Sequence, residues 1–155
     1  MSDDKRILTA YHEAGHAVMA LLMGRSVQKV SIIPSQNRLG VCTIQKGRAK
    51  QVQDKLEAEV LILLAGMAAE GRKSGKYNVQ GAGQDLRHVE KLALSRAGNM
   101  KAAQKFFHKM LDKTQHILSD KPTWKAVKVI AAELLEHESI SGRAAKHHLE
   151  LAKNE

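Results

Sequence analysis

The chain has 155 residues, of which 43% are hydrophobic and 3% aromatic, and its formal net charge is +9 at pH 7. This length predicts one domain, 1–155, with enough residues to bury a core, and the scarcity of aromatic side chains suits packed helices. The single cysteine, Cys42, excludes an internal disulfide and a cysteine-based zinc site, so any metal must be bound by His, Asp or Glu.

The N-terminus and the hydropathy indicate the compartment. The first residues, Met1–Asp4, are acidic rather than apolar, which is not typical of a signal peptide. The longest apolar stretch, Val60–Ala69, is far too short to span a membrane. We therefore predict a soluble, cytoplasmic protein without a membrane span. The basic residues lack interleaved aromatic residues, which favours solvated surfaces over a specific nucleic-acid site.

The first predicted element is an amphipathic helix over residues 5–23, where apolar residues recur at helical spacing. His12 and His16 lie about 40° apart on one face of this helix, so their imidazoles can bind one ion. Glu13 can reach a water on that ion, and this H-E-x-x-H arrangement is typical of zinc peptidases. The alternative is a solvated helix face with two ordinary histidines. Gly15, which costs about 1 kcal/mol in a helix, predicts close approach by another element.

A β-hairpin is predicted near residues 27–45. Apolar and polar residues alternate in its first strand, 27–34, which ends at Pro34. Its second strand is predicted over residues 39–45. Together with the predicted helices, this hairpin gives a mainly α (α+β) fold with a small sheet.

The rest of the chain is predicted to be helical. A helix over 51–70 becomes strongly apolar towards its end, and the Gly-rich segment 71–83 is predicted as a loop. A helix opens at Asp85. Further helices occupy about residues 100–152, with a short connection at 139–142.

A catalytic zinc usually has three protein ligands and leaves a fourth position for water, so a third ligand is needed. Position favours Asp85 and Glu70, because both lie where a core helix meets the Gly-rich loop. Capping of its own helix is the ordinary role of an aspartate such as Asp85, and a solvated helix end is that of Glu70. His88, one turn beyond Asp85, stays open on spacing, as does the pair His147-His148.

Five separated blocks resemble, in order, the peptidase domain of the FtsH family, the M41 zinc peptidases. The resemblance covers about residues 6–145. The blocks are Tyr11–Val18, Val27–Pro34 with Leu39-Gly40-Val41, Leu64–Glu70, Gly81–Leu86 and Ala132–Gly142.

The resemblance implies a helical zinc-peptidase domain whose metal helix is about residues 5–23 and whose third-ligand block is 81–86. It implies His12, His16 and Asp85 as ligands of Zn²⁺ and Glu13 as the general base that activates the water bound to zinc. Glu70 is implied to support the site without binding the metal. The strand that would hold an extended peptide comprises Leu39, Gly40, Val41, Cys42 and Thr43.

The sequence also departs from the family. Met67, Gly71 and Gln84 stand where the family has an arginine, a second acid and an asparagine, but every implied ligand is present. Neither an ATPase module nor a transmembrane segment occurs in these 155 residues. We therefore expect an ATP-independent endopeptidase acting on peptides or unfolded proteins, with a separate ATPase partner and a homo-oligomer as compatible expectations. The alternative is a weakly active or inactive peptidase-derived binding module with a basic surface.

Overall fold

The computed structural model describes residues 2–34, 40–45 and 54–155. This part of the chain forms six helices and a three-stranded antiparallel sheet, so the predicted mainly α fold with a small sheet is confirmed. The helices are α1 (Asp3–Leu22), α2 (Lys55–Ser74), α3 (Gly83–Ala97), α4 (Met100–Ser119), α5 (Lys121–His137) and α6 (Gly142–Lys153). The strands are β1 (Ser26–Ser31), β2 (Val41–Gln45) and β3 (Ser139–Ser141).

Polar caps explain where most of these helices begin, and α3 is the exception. At the other five starts, a side chain accepts a hydrogen bond from a backbone N–H three residues later. The capping residues are Ser2, Asp54, Asn99, Asp120 and Ser141. Helix α3 begins after Ala82, which makes no side-chain cap. Asp85 lies in the first turn of α3 rather than at its cap position, so its carboxylate is available to another element.

Helix α1 is central, because it packs against α2, α5 and β1. The closest approach is at Gly15, where an added Cβ would lie 2.5 Å from the Ala65 carbonyl oxygen and 2.6 Å from the Ala69 Cβ. The close approach predicted from Gly15 is therefore confirmed. It brings the backbone of α2 against the face of α1 that carries the two histidines.

The core is mostly aliphatic, as the low aromatic content suggests. Its largest fully buried side chains include Met19, Leu61, Leu64, Ile130 and Leu134. None of the helices in the described residues combines the length and hydropathy that a membrane crossing requires.

The sheet has the order β2-β1-β3, so β1 is central. The short connection predicted over 139–142 does join α5 to α6, but the sequence does not reveal that it contains β3, which pairs with β1 and places Ile140 opposite Val30. Glu138 takes a left-handed conformation (φ 67°) that ends α5, and its carbonyl oxygen accepts a hydrogen bond from the Ile32 N–H at 2.9 Å. A three-residue strand is too short to show an alternating pattern, which is why the sequence does not reveal it.

The end of α2 also differs from the prediction. The helix continues through Gly71 to Ser74 and ends at Gly75, whose φ is +87°. Gly71 is needed inside the helix because an added Cβ would lie 2.6 Å from the Tyr77 ring. The predicted loop 71–83 is thus shorter at both ends, while residues 51–53 of the predicted helix lie outside the described residues.

We expect Gly15→Ala to destabilise the protein, although alanine is the better helix former by about 1 kcal/mol. Overpacking against α2 should cost about 1–3 kcal/mol and outweigh that gain. The measurement is thermal unfolding of the metal-free protein, followed by circular dichroism. Gly83→Ala is the control, because its added Cβ would meet only the end of the Arg87 side chain, at 3.4 Å. A Gly15→Ala protein more stable than wild type would contradict this account of the α1–α2 contact.

Candidate metal centre

Helix α1 directs His12 and His16 towards the start of α3, where both meet Asp85. Their Nε2 atoms lie 3.3 and 3.1 Å from the same oxygen, Oδ2 of Asp85. One ligand atom from each of the three residues lies within 4.8 Å of the others. The histidine side chains are each 12% exposed and that of Asp85 is 27% exposed, so solvent reaches the group mainly from the Asp85 side.

The other ring nitrogen of each histidine is held by α2. His16 Nδ1 donates a hydrogen bond to the Ile62 carbonyl oxygen at 2.8 Å, and His12 Nδ1 donates to Oε2 of Glu70 at 3.0 Å. A carbonyl oxygen and a carboxylate only accept, so Nδ1 carries the proton in both rings. Each ring is thereby oriented with Nε2 towards Asp85. Metal-binding histidines in proteins are commonly held in this way.

Without metal, the acidic groups strongly perturb the site. Burial acts to lower the pKa of His12, but its hydrogen bonds to Asp85 and Glu70 outweigh burial and raise that pKa to about 10. Burial acts to raise the pKa of Asp85, but its hydrogen bonds to His12 and His16 hold the pKa well below its ordinary value. Without metal, the ionised Asp85 carboxylate therefore faces a protonated His12 ring, and a bound cation would have to replace the proton on Nε2 of that ring.

The space beside the two Nε2 atoms exists because residue 66 is glycine. An added Cβ at Gly66 would lie 2.5 Å from Nε2 of His16 and 2.7 Å from Nε2 of His12. Two imidazole nitrogens and one carboxylate oxygen fit zinc, which is bound tetrahedrally by nitrogen and oxygen donors at ~2.0–2.2 Å. Such a tetrahedron has edges of roughly 3.3 Å, close to the separation of each Nε2 from the Asp85 oxygen.

Glu13 lies beside this group and is only 7% exposed. Gly40, which directly precedes β2, packs against it: an added Cβ at Gly40 would lie 3.0 Å from Cγ of Glu13. Burial raises the pKa of the Cys42 thiol, and the negative charge of Glu13 raises it further. The start of β2 is therefore next to the Glu13 carboxylate.

The position of β2 bears on the predicted substrate strand. In the described residues β2 pairs only with β1, which leaves its other side as a sheet edge. Of the five predicted residues, Gly40, Val41, Cys42 and Thr43 lie at or in this strand, while Leu39 lies outside the described residues.

The remaining ligand candidates lie elsewhere. His88 is exposed on α3. His148 is 3.6 Å from a carboxylate oxygen of Glu133, on the α5–α6 side of the molecule. Among the described residues, one other group of ligand atoms comes as close together, and it is formed by exposed or half-exposed side chains of α5: Glu133, Glu136 and His137. The structure thus brings together His12, His16 and Asp85, with Glu70 behind His12.

Sequence reasoning missed two contributors to this geometry, the Ile62 carbonyl and the Gly66 position. A backbone carbonyl leaves no trace in a sequence. Gly66 does leave one, because a glycine inside a long apolar helical run usually has a packing or functional reason.

Comparison with known proteins decides the family. The sequence profile of peptidase family M41 matches residues 1–101. The chain belongs to peptidase family M41. Both histidines, Glu13 and Asp85 fall within the matched M41 region.

Curated relatives agree with this M41 assignment. The chain is 37% identical over 98 residues to the ATP-dependent zinc metalloprotease FtsH of Rickettsia bellii, covering 60% of this chain and 15% of that protein. It is 31% identical over 128 residues to FtsH of Neorickettsia risticii (77% and 20%). It is 37% identical over 116 residues to FtsH of Haemophilus influenzae (71% and 18%). The match thus spans a fifth or less of the length of these relatives.

We expect Gly66→Ala to prevent zinc binding, because its methyl group would take the space beside both Nε2 atoms. Zinc affinity should fall by more than the ~10–100-fold typical when a supporting partner of a ligand is removed. The measurement is competition with a chromophoric chelator, and circular dichroism checks that the helices are intact. A folded Gly66→Ala protein that binds zinc as wild type does would show that the metal is not bound beside residue 66.

Proposed function

We propose that this M41 chain is a zinc-dependent peptidase in which His12, His16 and Asp85 bind the metal. The observation that carries the proposal is the convergence of two imidazole nitrogens and one carboxylate oxygen, with Gly66 leaving space beside the two nitrogens. A carboxylate suited to proton transfer, Glu13, lies beside them. A bound zinc ion would supply Lewis-acid activation of a water molecule and of the scissile carbonyl.

Glu13 is proposed as the general base. It would accept a proton from the attacking water and later deliver it to the nitrogen of the leaving amine, as general acid–base catalysis requires. Its low exposure supports this role, because a carboxylate shielded from bulk water interacts more strongly with charge that develops next to it. Gly40 supports the same role, since its lack of a side chain lets the start of β2 approach Glu13 closely.

Extended polypeptide is the proposed substrate class. A peptide could add to the open edge of β2 through backbone hydrogen bonds, a recognition mode that depends little on side-chain identity. Residues 40–43 would then border the bound chain, with Gly40 packed against Glu13. This mode requires an unpaired, extended segment, so loose chains or short peptides should be cut more readily than stable domains.

A folded protein would have to be unfolded before an extended segment of it could bind at β2. The relatives are named ATP-dependent, and this chain matches a fifth or less of their length. Unfolding a stable domain costs about 5–15 kcal/mol, more than a handful of edge-strand hydrogen bonds worth about 1 kcal/mol each would recover. We therefore propose that folded proteins become substrates only when an ATPase partner unfolds them.

The ligand assignment is tested by comparing Asp85→Ala with His88→Ala. Asp85→Ala should lose zinc, because only two protein ligands remain, while His88→Ala should keep one zinc per chain. Metal content after dialysis, measured by mass spectrometry, gives the stoichiometry. His88→Ala is also the matched control for a substitution on α3. The reverse result, with zinc retained in Asp85→Ala and lost in His88→Ala, would make His88 the ligand.

The catalytic role is tested by Glu13→Gln, which keeps the shape of the side chain but removes the base. Zinc content should be unchanged, and hydrolysis of casein should fall by about 10²–10⁴-fold, the usual contribution of a general base. Near-normal turnover would remove Glu13 from the mechanism. A zinc-loaded wild-type chain that binds casein without cleaving it would instead support the binding-module alternative.

A further inference from the structure

Asn78 links Glu70, which holds the proposed ligand His12, to the segment that leads to the proposed ligand Asp85. Its side-chain Nδ2 donates a hydrogen bond to Oε1 of Glu70 at 3.2 Å. Its Oδ1 accepts a hydrogen bond from the Gly81 backbone N–H at 3.0 Å. Oε2 of Glu70 in turn holds Nδ1 of His12, so a continuous path of hydrogen bonds runs from Gly81 to His12.

Both ends of the amide are fixed by their partners. The carboxylate of Glu70 can only accept a hydrogen bond, and the Gly81 N–H can only donate one. An amide turned by 180° would place two acceptors together at Glu70 and two donors together at Gly81. The Asn78 amide also packs closely against Gly81, since an added Cβ at Gly81 would lie 2.5 Å from Nδ2 of Asn78.

The residue before Asn78 fixes the same segment at a second point. The Tyr77 ring lies over Gly71 of α2, where an added Cβ would be 2.6 Å from the ring. Segment 75–82, which joins α2 to α3, is therefore attached to α2 through a ring contact and a hydrogen bond at adjacent positions. Asp85 lies in the first turn of α3, which begins directly after this segment.

We propose that Asn78 is a positioning residue for the metal centre, and this inference rests on the proposed zinc function. Asn78 orients Glu70, and through Glu70 the His12 ring. It also fixes the segment that delivers Asp85 to the two histidines. Loss of this bridge loosens two of the three ligands at once. Outer partners of this kind typically change metal affinity by about 10–100-fold.

The test compares Asn78→Ala, Asn78→Asp and the control Val79→Ala. Val79 is in the same segment and is 60% exposed. Asn78→Asp keeps an acceptor for the Gly81 N–H but places a carboxylate against Glu70. We expect both Asn78 variants to bind zinc about 10–100-fold more weakly than wild type in chelator competition, and Val79→Ala to bind normally.

Two results would overturn the inference alone. One is wild-type zinc affinity in Asn78→Asp, which would mean that the side chain serves only the turn at Gly81. The other is a lower melting temperature of the metal-free Asn78 variants with unchanged zinc affinity, which would indicate a purely structural role. Failure of the wild-type chain to bind zinc would instead overturn the proposed function as well.

Discussion

The close contact between α1 and α2 is the constraint on which the rest of the structure depends. Gly15 lets the two helices approach until a side-chain carbon no longer fits between them. At this separation, α2 comes into contact with the two histidines of α1. Its Ile62 carbonyl and its Glu70 carboxylate reach the Nδ1 atoms of the histidines, and its Gly66 leaves space beside their Nε2 atoms. One packing contact thus orients two imidazoles and keeps the adjoining volume open.

The third side chain of the centre comes from a helix start that lacks a capping side chain. An aspartate in the first turn of a helix is favoured by the helix dipole, and in α3 its carboxylate is turned towards α1 instead of its own backbone. The local cost is an uncapped helix start, whereas the gain is a carboxylate oxygen of Asp85 that lies 3.3 Å from Nε2 of His12 and 3.1 Å from Nε2 of His16. Where local rules of this kind are not followed, a functional site is a common reason.

Sequence patterns predicted most of the fold, because long helices carry clear periodicity. The predicted end of α2 at residue 70 is four residues too early, since Gly71 continues the helix beneath the Tyr77 ring and Gly75 ends it. Strand β3 has no pattern that could reveal it. Within the site, the spacing of His12 and His16 follows from α1 alone. Position favours Asp85 and Glu70 alike, and only the family resemblance chooses Asp85, because its proximity to α1 depends on how segment 75–82 folds; the ligand set stays a prediction.

The most direct measurement of the central claim is zinc K-edge X-ray absorption on the zinc-loaded chain. The account predicts a first shell of nitrogen and oxygen at ~2.0–2.1 Å, with the multiple-scattering signal of two imidazoles. The Asp85→Ala variant, if it retains any zinc, should show an altered oxygen contribution. A shell with three imidazoles, or one containing sulfur from Cys42 at about 2.3 Å, would contradict the assignment of His12, His16 and Asp85.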